Sequence, residues 1–328
     1  MFSSIARRGF LLLPALMLVG CNTVVMNPSG DIAAQQGHLI AISTILMLLI
    51  IVPVIALTIL FAWRYRKNNT TARYEPEWDH STALELVIWG APLLIIIALG
   101  LLTWISTHTL DPYRQLARLA PGRPVPDKVK PVTIEAVALD WKWLFIYPEQ
   151  GIATINEVAA PVDVPIRFKI SASSVMNSFY IPALAGQIYA MPGMETSLHA
   201  VINKAGDYKG FSANYSGAGF SDMNFVFHGM SSGDFQQWVQ KVKADKSNLD
   251  RAGYLQLEKP SIAEPVRYYG NVEGDLYHAI LNECVKPGQM CMDQMMAADM
   301  HGGEMQMSGT EHEQTHMDGK MQMSGHHE

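Results

Sequence analysis

The sequence predicts two membrane-spanning helices followed by an extracytoplasmic β-sheet domain, with short helices and a polar tail at the C-terminal end. Three observations predict this architecture. The 328-residue chain is 49% hydrophobic, and its apolar residues crowd into three blocks before residue 106. Short runs of β-prone residues begin near residue 131, and Pro, Gly and Asn separate them, as in a β-sandwich or barrel. Residues 290–328 hold ten of the nineteen methionines and five of the eleven histidines.

Residues 1–20 are predicted to be a signal peptide that ends at a lipidation site. Arg7 and Arg8 supply its positive start, and residues 9–19 form an apolar stretch too short to span a bilayer comfortably. Residues 18–21 read Leu-Val-Gly-Cys, which resembles the lipobox of bacterial lipoproteins. We therefore expect cleavage before Cys21 and attachment of diacylglycerol to its thiol. The alternative is an ordinary signal peptide in which the cysteine is incidental.

Two uncharged stretches are long enough to cross a membrane. A short extracytoplasmic segment at 21–37 precedes the first, residues 39–63, and residues 86–105 form the second. At a rise of 1.5 Å per residue, each can cross a hydrocarbon core about 30 Å thick. The predicted spans are 38–63 and 86–106.

The distribution of basic residues sets the orientation of these spans. Residues 22–38 contain no Lys or Arg, whereas the loop 64–85 begins with a basic cluster formed by Arg64, Arg66, Lys67 and Arg73. The loop is therefore predicted to be cytoplasmic. The chain after Ser106 is then periplasmic, and the protein is anchored in the inner (plasma) membrane of a bacterium.

The periplasmic part divides by composition. Residues 107–130 contain a Pro-Gly-Arg-Pro-Val-Pro run and are predicted to be a linker. Residues 131–230 hold the strand candidates, and residues 231–285 hold helix candidates, the first of them capped by Ser231. This helix has one apolar face, predicted to pack against its own domain, with a partner-facing arm as the alternative; its residues are Phe235, Trp238, Val239 and Val242.

The C-terminal end leaves two chemistries open. Residues 286–328 are predicted to be a disordered tail whose thioethers and imidazoles suit copper ions, although such a composition can also lack any essential role. Cys284 and Cys291 lie seven residues apart and outside the cytoplasm, where they can form a disulfide. A metal site formed by this pair and the Met-rich tail is the competing interpretation.

Residues 210–223 read Gly-Phe-Ser-Ala-Asn-Tyr-Ser-Gly-Ala-Gly-Phe-Ser-Asp-Met. This stretch resembles the copper loop of cytochrome c oxidase subunit II, Gly-x-Cys-x-Glu-x-Cys-x-x-x-His-x-x-Met, but only Met223 matches a ligand. The other ligand positions hold Ser212 and Ser216 for the cysteines, Asn214 for the glutamate, and Phe220 and Asn177 for the histidines. A dinuclear copper centre needs bridging thiolates, and serine hydroxyls stay protonated. The sequence therefore predicts no metal in the folded domain; the alternative is an ordinary Gly/Ser loop.

No other copper site is evident in the β region. A mononuclear blue-copper site also needs a thiolate, and the chain has no cysteine between Cys21 and Cys284. His199 and His228 are isolated in the sequence. They are expected to be surface or hydrogen-bonded residues and not metal ligands.

Three further motifs resemble the same family of proteins as the copper loop does. Leu84, Glu85, Trp89 and Pro92 open the second span, Leu-Asp-Pro-Tyr at 110–113 follows it, and residues 139–151 read Leu-Asp-Trp-Lys-Trp-Leu-Phe-Ile-Tyr-Pro-Glu-Gln-Gly. With them the chain resembles subunit II of the haem-copper terminal oxidases, and more closely the cytochrome bo-type ubiquinol oxidase branch. The resemblance extends from the lipobox to about residue 280.

The resemblance implies a cupredoxin-like Greek-key sandwich and a role inside a complex. The expected partners are oxidase subunit I, further membrane subunits, ubiquinol and membrane lipid. No cofactor is expected in this chain, because the haem groups and the copper that reduces oxygen would lie in subunit I. Trp141 matches a tryptophan that passes electrons from copper in cytochrome c oxidases, and without copper its expected role is packing and interface contact.

Glu85 is the one candidate for a direct part in the reaction. In the family that this chain resembles, the matching glutamate lies at the cytoplasmic mouth of a proton path in subunit I. The orientation derived above independently places Glu85 on the cytoplasmic side. A carboxylate there can relay protons. The alternative is a structural role, because Thr82 and Glu85 have the spacing of a capping box.

Other functions are less consistent with the sequence. A cytochrome c oxidase subunit would need the missing ligands, so no cytochrome c partner is expected. A net charge of −6 argues against a nucleic-acid partner. A membrane-tethered lipoprotein that delivers copper through its Met/His tail remains the alternative, although the membrane and aromatic motifs have no role in it.

Overall fold

The computed structural model describes residues 23–73, 75–127 and 129–299. The predicted signal peptide, the lipidation site at Cys21 and the tail beyond residue 299 lie outside the described residues. They stay predictions.

Two long helices come first. Helix α1 spans Asp31–Arg64 and contains Pro53, and helix α2 spans Thr82–Thr109 and contains Pro92. Both are long and apolar enough to cross a membrane, and neither buries its most apolar stretch inside the protein. Each helix extends beyond its predicted span. At the start of α1, good helix formers such as Ala33 and Gln35 continue the hydrogen-bonded turns past the apolar stretch.

The predicted capping box at the start of α2 is wrong. The N-cap residue is Ser81, whose side chain makes no capping hydrogen bond, and Thr82 is already helical. Both residues of the predicted box contact His80 instead: Thr82 Oγ1 lies 3.2 Å from His80 Nε2, and Glu85 Oε1 lies 2.8 Å from His80 Nδ1. Glu85 is therefore free of any capping role.

Two facing sheets form the β domain. The first contains, in spatial order, β10 (Thr196–Ala200), β7 (Ile166–Ala172), β3 (Val132–Leu139), β4 (Lys142–Tyr147), β5 (Ile152–Ile155) and β14 (Arg267–Tyr269). The second contains β6 (Glu157–Pro161), β12 (Asn224–Met230), β11 (Gly206–Ser212), β8 (Asn177–Tyr180) and β9 (Ile188–Ala190). The β3–β7 and β6–β12 pairs are parallel, and the other pairs of these two sheets are antiparallel. The predicted cupredoxin-like sandwich is confirmed.

Two short strand pairs lie outside these sheets. β1 (Arg118–Ala120) and β2 (Arg123–Pro124) form a hairpin within the segment 107–130 that was predicted to be a linker, and α2 extends into the start of that segment. β13 (Asn248–Leu249) pairs in parallel with β15 (Asn271–Val272).

Both faces of strand β4 are buried, which explains why the run at 141–147 is aromatic and apolar with little alternation. Trp143 and Phe145 point into the sandwich, where the Trp143 and Phe179 rings meet at 5.3 Å between centroids. Leu144 and Ile146 point to the opposite face and join a second apolar cluster. A strand covered on both sides reads as a continuous apolar run and not as an alternating one.

The helices after the sandwich cover it. Helix α3 spans Ser232–Lys243, and the Ser231 hydroxyl accepts a hydrogen bond from Asp234 N, as its N-cap position predicts. Its apolar face joins the sandwich core, so the prediction of packing against its own domain is confirmed and the partner-facing arm is wrong. Helices α4 (Arg251–Leu257) and α5 (Leu276–Leu281) pack over the outer face of β4.

Cys284 and Cys291 form a disulfide, with their Cα atoms 4.7 Å apart. The disulfide interpretation is therefore correct, and the metal interpretation of this pair is wrong. The bridge ties the end of α5 to a helical run at 292–299.

Candidate functional site

The positions that match copper ligands converge at one end of the second sheet. Asn177 begins β8 and Ser212 ends β11, and these two strands are antiparallel neighbours. The chain then passes through a loop, turns at the 3₁₀ segment Phe220–Asp222 and enters β12 after Met223. The end of β11 lies beside the start of β12, since Phe211 pairs with Asn224. The strand pairing alone therefore brings residues far apart in sequence to one place.

Hydrogen bonds join the two buried side chains at the centre of this site. Ser212 Oγ donates to Asn177 Oδ1 at 3.0 Å and also lies 3.3 Å from the Asn214 carbonyl oxygen. Asn177 Nδ2 donates to the Val175 carbonyl at 3.0 Å. Asn177 and Ser212 are 2% and 3% exposed, so their hydrogen bonds offset the cost of burying polar atoms. These two side chains satisfy one another without an ion.

Three of the four remaining positions also make contacts within the protein. Asn214 Nδ2 donates to the Met176 carbonyl at 3.1 Å. The Phe220 ring packs edge-on against Tyr215 at 5.6 Å between centroids. Met223 is 1% exposed and belongs to the sandwich core. Within the described ranges, the buried hydroxyl of Ser216 has no hydrogen-bond partner.

Trp141 holds the loop in place. It lies in the turn between β3 and β4, and its Nε1 donates to the Ser216 carbonyl at 3.0 Å. Its ring lies so close to the loop that a Cβ atom on Gly219 would come within 2.5 Å of Trp141 Cδ2. Gly219 is therefore required by close packing. These contacts support the packing role expected for Trp141.

This donor set does not fit a dinuclear copper centre. The side chains at the matching positions offer hydroxyls, amides and a phenyl ring, all of them neutral, and one thioether from Met223. Two bridging thiolates are what such a centre requires. Across residues 23–73, 75–127 and 129–299, no group of three or more His, Cys, Asp or Glu residues is placed to hold a metal.

The two isolated histidines have structural partners. His199 on β10 faces the Pro112 carbonyl, with Nδ1 at 3.1 Å. His228 on β12 lies between two carboxylates, with Nδ1 2.6 Å from Asp207 Oδ1 and Nε2 3.8 Å from Glu157 Oε2. The hydrogen bond to Glu157 and, to a smaller extent, the hydrogen bond to Asp207 favour the charged imidazolium, and they raise the pKa of His228. The expectation that both are hydrogen-bonded residues is consistent with these contacts.

Glu85 lies far from this loop in the fold, in the first turn of α2, at the end remote from the β domain. Its side chain is 54% exposed and pairs with His80, as described above. The sequence interpretation missed His80 because it took Thr82 as the N-cap; with Ser81 as the N-cap, His80 lies at N′ and Glu85 at N4, which are neighbouring positions at a helix start. A histidine five residues before a candidate proton carrier was the available signal.

The comparisons with known proteins agree with this architecture. The family model for the cytochrome c oxidase subunit II periplasmic domain matches residues 149–230, and the model for the COX aromatic rich motif matches residues 243–288. Among solved structures, the periplasmic domain of cytochrome oxidase subunit II (CoxB) of Bradyrhizobium japonicum is 24% identical and covers 36% of this chain and 94% of that one, with a TM-score of 0.33. A match this limited adds no argument about the fold of this chain.

Curated relatives match over most of the chain. The cytochrome bo(3) ubiquinol oxidase subunit 2 of Pseudomonas aeruginosa is 50% identical over 272 residues, which cover 83% of this chain and 80% of the relative. Ubiquinol oxidase subunit 2 of Acetobacter aceti is 48% identical over 281 residues, covering 86% and 89%. The chain therefore belongs to the family of subunit 2 of the cytochrome bo(3)-type ubiquinol oxidases.

Proposed function

We propose that this chain is the non-redox subunit on the periplasmic side of a proton-pumping ubiquinol oxidase. In the complete reaction, two ubiquinol molecules are oxidised to two ubiquinone molecules and release four electrons and four protons, and O₂ takes up four electrons and four protons to give two water molecules. The observation that supports the proposal is the set of side chains at the copper-ligand positions, which includes no thiolate and in which Ser212 Oγ donates to Asn177 Oδ1 at 3.0 Å. The names of the relatives support ubiquinol as the electron donor.

The absence of suitable copper ligands has a consequence for electron entry. A soluble periplasmic donor such as cytochrome c would need an acceptor in this domain, and the loop supplies neutral groups and no thiolate to bridge two copper ions. Ubiquinol is dissolved in the bilayer and needs no such acceptor here. The haem groups and copper that carry out oxygen reduction belong, in this proposal, to subunit I. This chain then acts as a scaffold on the outer face of subunit I.

Glu85 is proposed to lie at a proton entrance on the cytoplasmic side. The basic cluster of the loop that begins after α1 supports this orientation. The Glu85 side chain is 54% exposed, and its Oε1 lies 2.8 Å from His80 Nδ1, so the carboxylate contacts both solvent and an imidazole. Since no capping bond occupies it, the side chain can turn toward a partner subunit.

The mature protein is proposed to begin at a lipidated Cys21. Mass spectrometry of the N-terminal peptide should find the mass of a diacylglycerol-modified cysteine. Because α1 and α2 also anchor the chain, Cys21→Ala should reduce processing and yet leave the protein in the membrane fraction. A mature chain with an unmodified Cys21, or one that starts elsewhere, would contradict lipoprotein processing.

Affinity purification of the full chain from mild detergent tests the proposed function. A tag on this chain should co-purify a large haem-bearing subunit, and the preparation should oxidise ubiquinol with oxygen but not reduced cytochrome c. The contrary result is a chain recovered without haem that binds copper through its Met/His-rich end. That outcome would favour the copper-delivery alternative.

A further inference from the structure

The loop between α1 and α2 carries its charges in two separate halves. Residues 64–73 contain no acidic residue, and residues 75–85 contain no Lys or Arg. The cations of the first half are Arg64, Arg66, Lys67 and Arg73, and the acidic residues of the second half are Glu75, Glu77, Asp79 and Glu85. The positive half therefore begins directly at the end of α1, and the negative half lies next to α2.

Three of these cations have no acidic partner in the part of the chain that the structure describes. Arg73 forms an ion pair with Glu75 across the boundary between the two halves. The other ion pairs of Lys and Arg side chains in the described ranges involve none of Arg64, Arg66 and Lys67. All three side chains are exposed. Their charge is therefore available to a ligand from outside this chain.

Asn69 folds the chain back at the end of α1. Its backbone N–H donates to the Arg66 carbonyl at 2.9 Å, and its Nδ2 donates to the Arg64 carbonyl at 2.6 Å. Its Oδ1 accepts from the backbone N–H of Thr71 at 3.2 Å and from Thr71 Oγ1 at 2.8 Å. The three cations therefore stay within one compact turn. The Arg64 carbonyl, at the partially negative end of the helix, is covered by a donor and does not face an approaching anion.

Two aromatic residues accompany the cations. Trp63 and Tyr65 are 64% and 57% exposed, and such side chains favour the interface between membrane and water. The guanidinium carbon of Arg66 lies 5.7 Å from the centre of the Trp63 ring, which is the geometry of a cation–π contact. A guanidinium that stacks by one face keeps the N–H donors in its plane for phosphate oxygens. Trp63 thus positions Arg66 at the interface.

The cations lie at the depth of lipid phosphates. The apolar stretch 39–63 is about 37 Å long as a helix, compared with about 30 Å for the hydrocarbon core. If the excess is taken up by tilt or is shared between both ends, Arg64 begins within about 5 Å of the hydrocarbon edge. The headgroup zone adds about 5 to 7 Å on each side of the core. The turn after α1 therefore lies within that zone.

We propose that Arg64, Arg66 and Lys67 bind the phosphate of a phospholipid whose headgroup has a net negative charge. The two guanidinium groups offer forked donors that match phosphate oxygens, and the Lys67 ammonium adds a point charge. The ammonium of a zwitterionic headgroup is repelled by the same three cations. The exposed apolar side chains of α1 can line the acyl chains of such a lipid. The inference requires that α1 spans a membrane, and it holds for either orientation and independently of the oxidase reaction.

Lipid retention tests this inference. The tagged full chain, with the subunits that co-purify with it, is exchanged into vesicles of equal parts phosphatidylglycerol, phosphatidylethanolamine and phosphatidylcholine, re-extracted, and analysed by native mass spectrometry. Wild type should retain phosphatidylglycerol in preference. Each Lys or Arg near an anionic lipid surface contributes about fivefold to binding, so Arg66→Gln/Lys67→Gln should retain it about 25-fold less.

Arg73→Gln is the matched control, because it removes one cation of the same loop that is already paired with Glu75. It should lower retention by less than about twofold, whereas Arg66→Gln alone should lower it about fivefold. Arg66→Lys keeps the charge and should retain phosphatidylglycerol better than Arg66→Gln does. If Arg66→Gln/Lys67→Gln fails to insert into the membrane, the comparison of the single variants decides.

Three results would overturn the proposal. Wild-type retention in the Gln variants of Arg66 and Lys67 is the first. Equal losses in Arg66→Gln and Arg73→Gln are the second, because retention would then follow only the total charge of the loop. The third is a map of the assembled protein in which carboxylates of another subunit occupy this turn. Displacement of the lipid by excess inorganic phosphate at constant ionic strength would show a simple phosphate site and overturn the assignment to lipid.

Discussion

Glu85→Ala should slow oxygen reduction by the assembled oxidase by about tenfold or more, and Glu85→Asp should slow it less. The alanine variant removes the carboxylate that is proposed to collect protons at the cytoplasmic end of α2. Aspartate keeps the acid but reaches one methylene less far. The measurement is oxygen consumption with ubiquinol, expressed per assembled haem, so that differences in the amount of complex do not enter.

The structure sharpens the control for this experiment. Glu85 forms no capping bond, and its contact is with His80 at 2.8 Å, so its loss should affect the start of α2 only slightly. Glu77→Ala removes an exposed carboxylate from the same loop and should leave turnover unchanged. Turnover per haem in Glu85→Ala equal to that of wild type would show that the proton-entrance assignment is wrong.

A dinuclear copper site should appear when the five altered ligand positions are restored together. The variant carries cysteines at positions 212 and 216, glutamate at 214, and histidines at 177 and 220. Ser212 and Asn177 already touch, at 3.0 Å, and Met223 is in place, so the new ligands should converge. After addition of copper, the variant should hold two copper ions more than wild type, because the Met/His-rich tail is common to both, and it should show a near-infrared mixed-valence absorption band. Wild type should lack the band.

One omission provides the matched control. A variant with the same changes except at Ser216 has one thiolate and cannot bridge two copper ions, so it should lack the band. A folded five-fold variant that takes up no copper would mean that the loop differs from copper-bearing domains in shape as well as in ligands. A stoichiometric mixed-valence site in wild type would contradict the proposal of a non-redox subunit directly.

Local sequence patterns predicted helices and strands correctly where the pattern was consistent with a single structure. The apolar face of α3 and its cap at Ser231 follow from helical spacing and from the need to satisfy free N–H groups, and both are observed. The capping box at Thr82 and Glu85 failed because the same residue types can serve other partners. His80 contacts both side chains, because with Ser81 as the N-cap it lies at N′ and Glu85 lies at N4, two positions that face each other across the helix start.

The sequence by itself determined which chemistry this chain has. Two long uncharged helices carry apolar side chains that are stable in the apolar interior of a membrane. A loop without thiolates cannot build a dinuclear copper centre, whatever its shape. The tertiary structure decided which groups meet. Strand pairing joins Ser212 to Asn177, the two-sided burial of β4 makes room for α4 and α5, and the return of the chain after α2 brings Arg118 to Asp31. Such contacts depend on where distant segments of the chain lie in space, and local sequence patterns do not predict that placement.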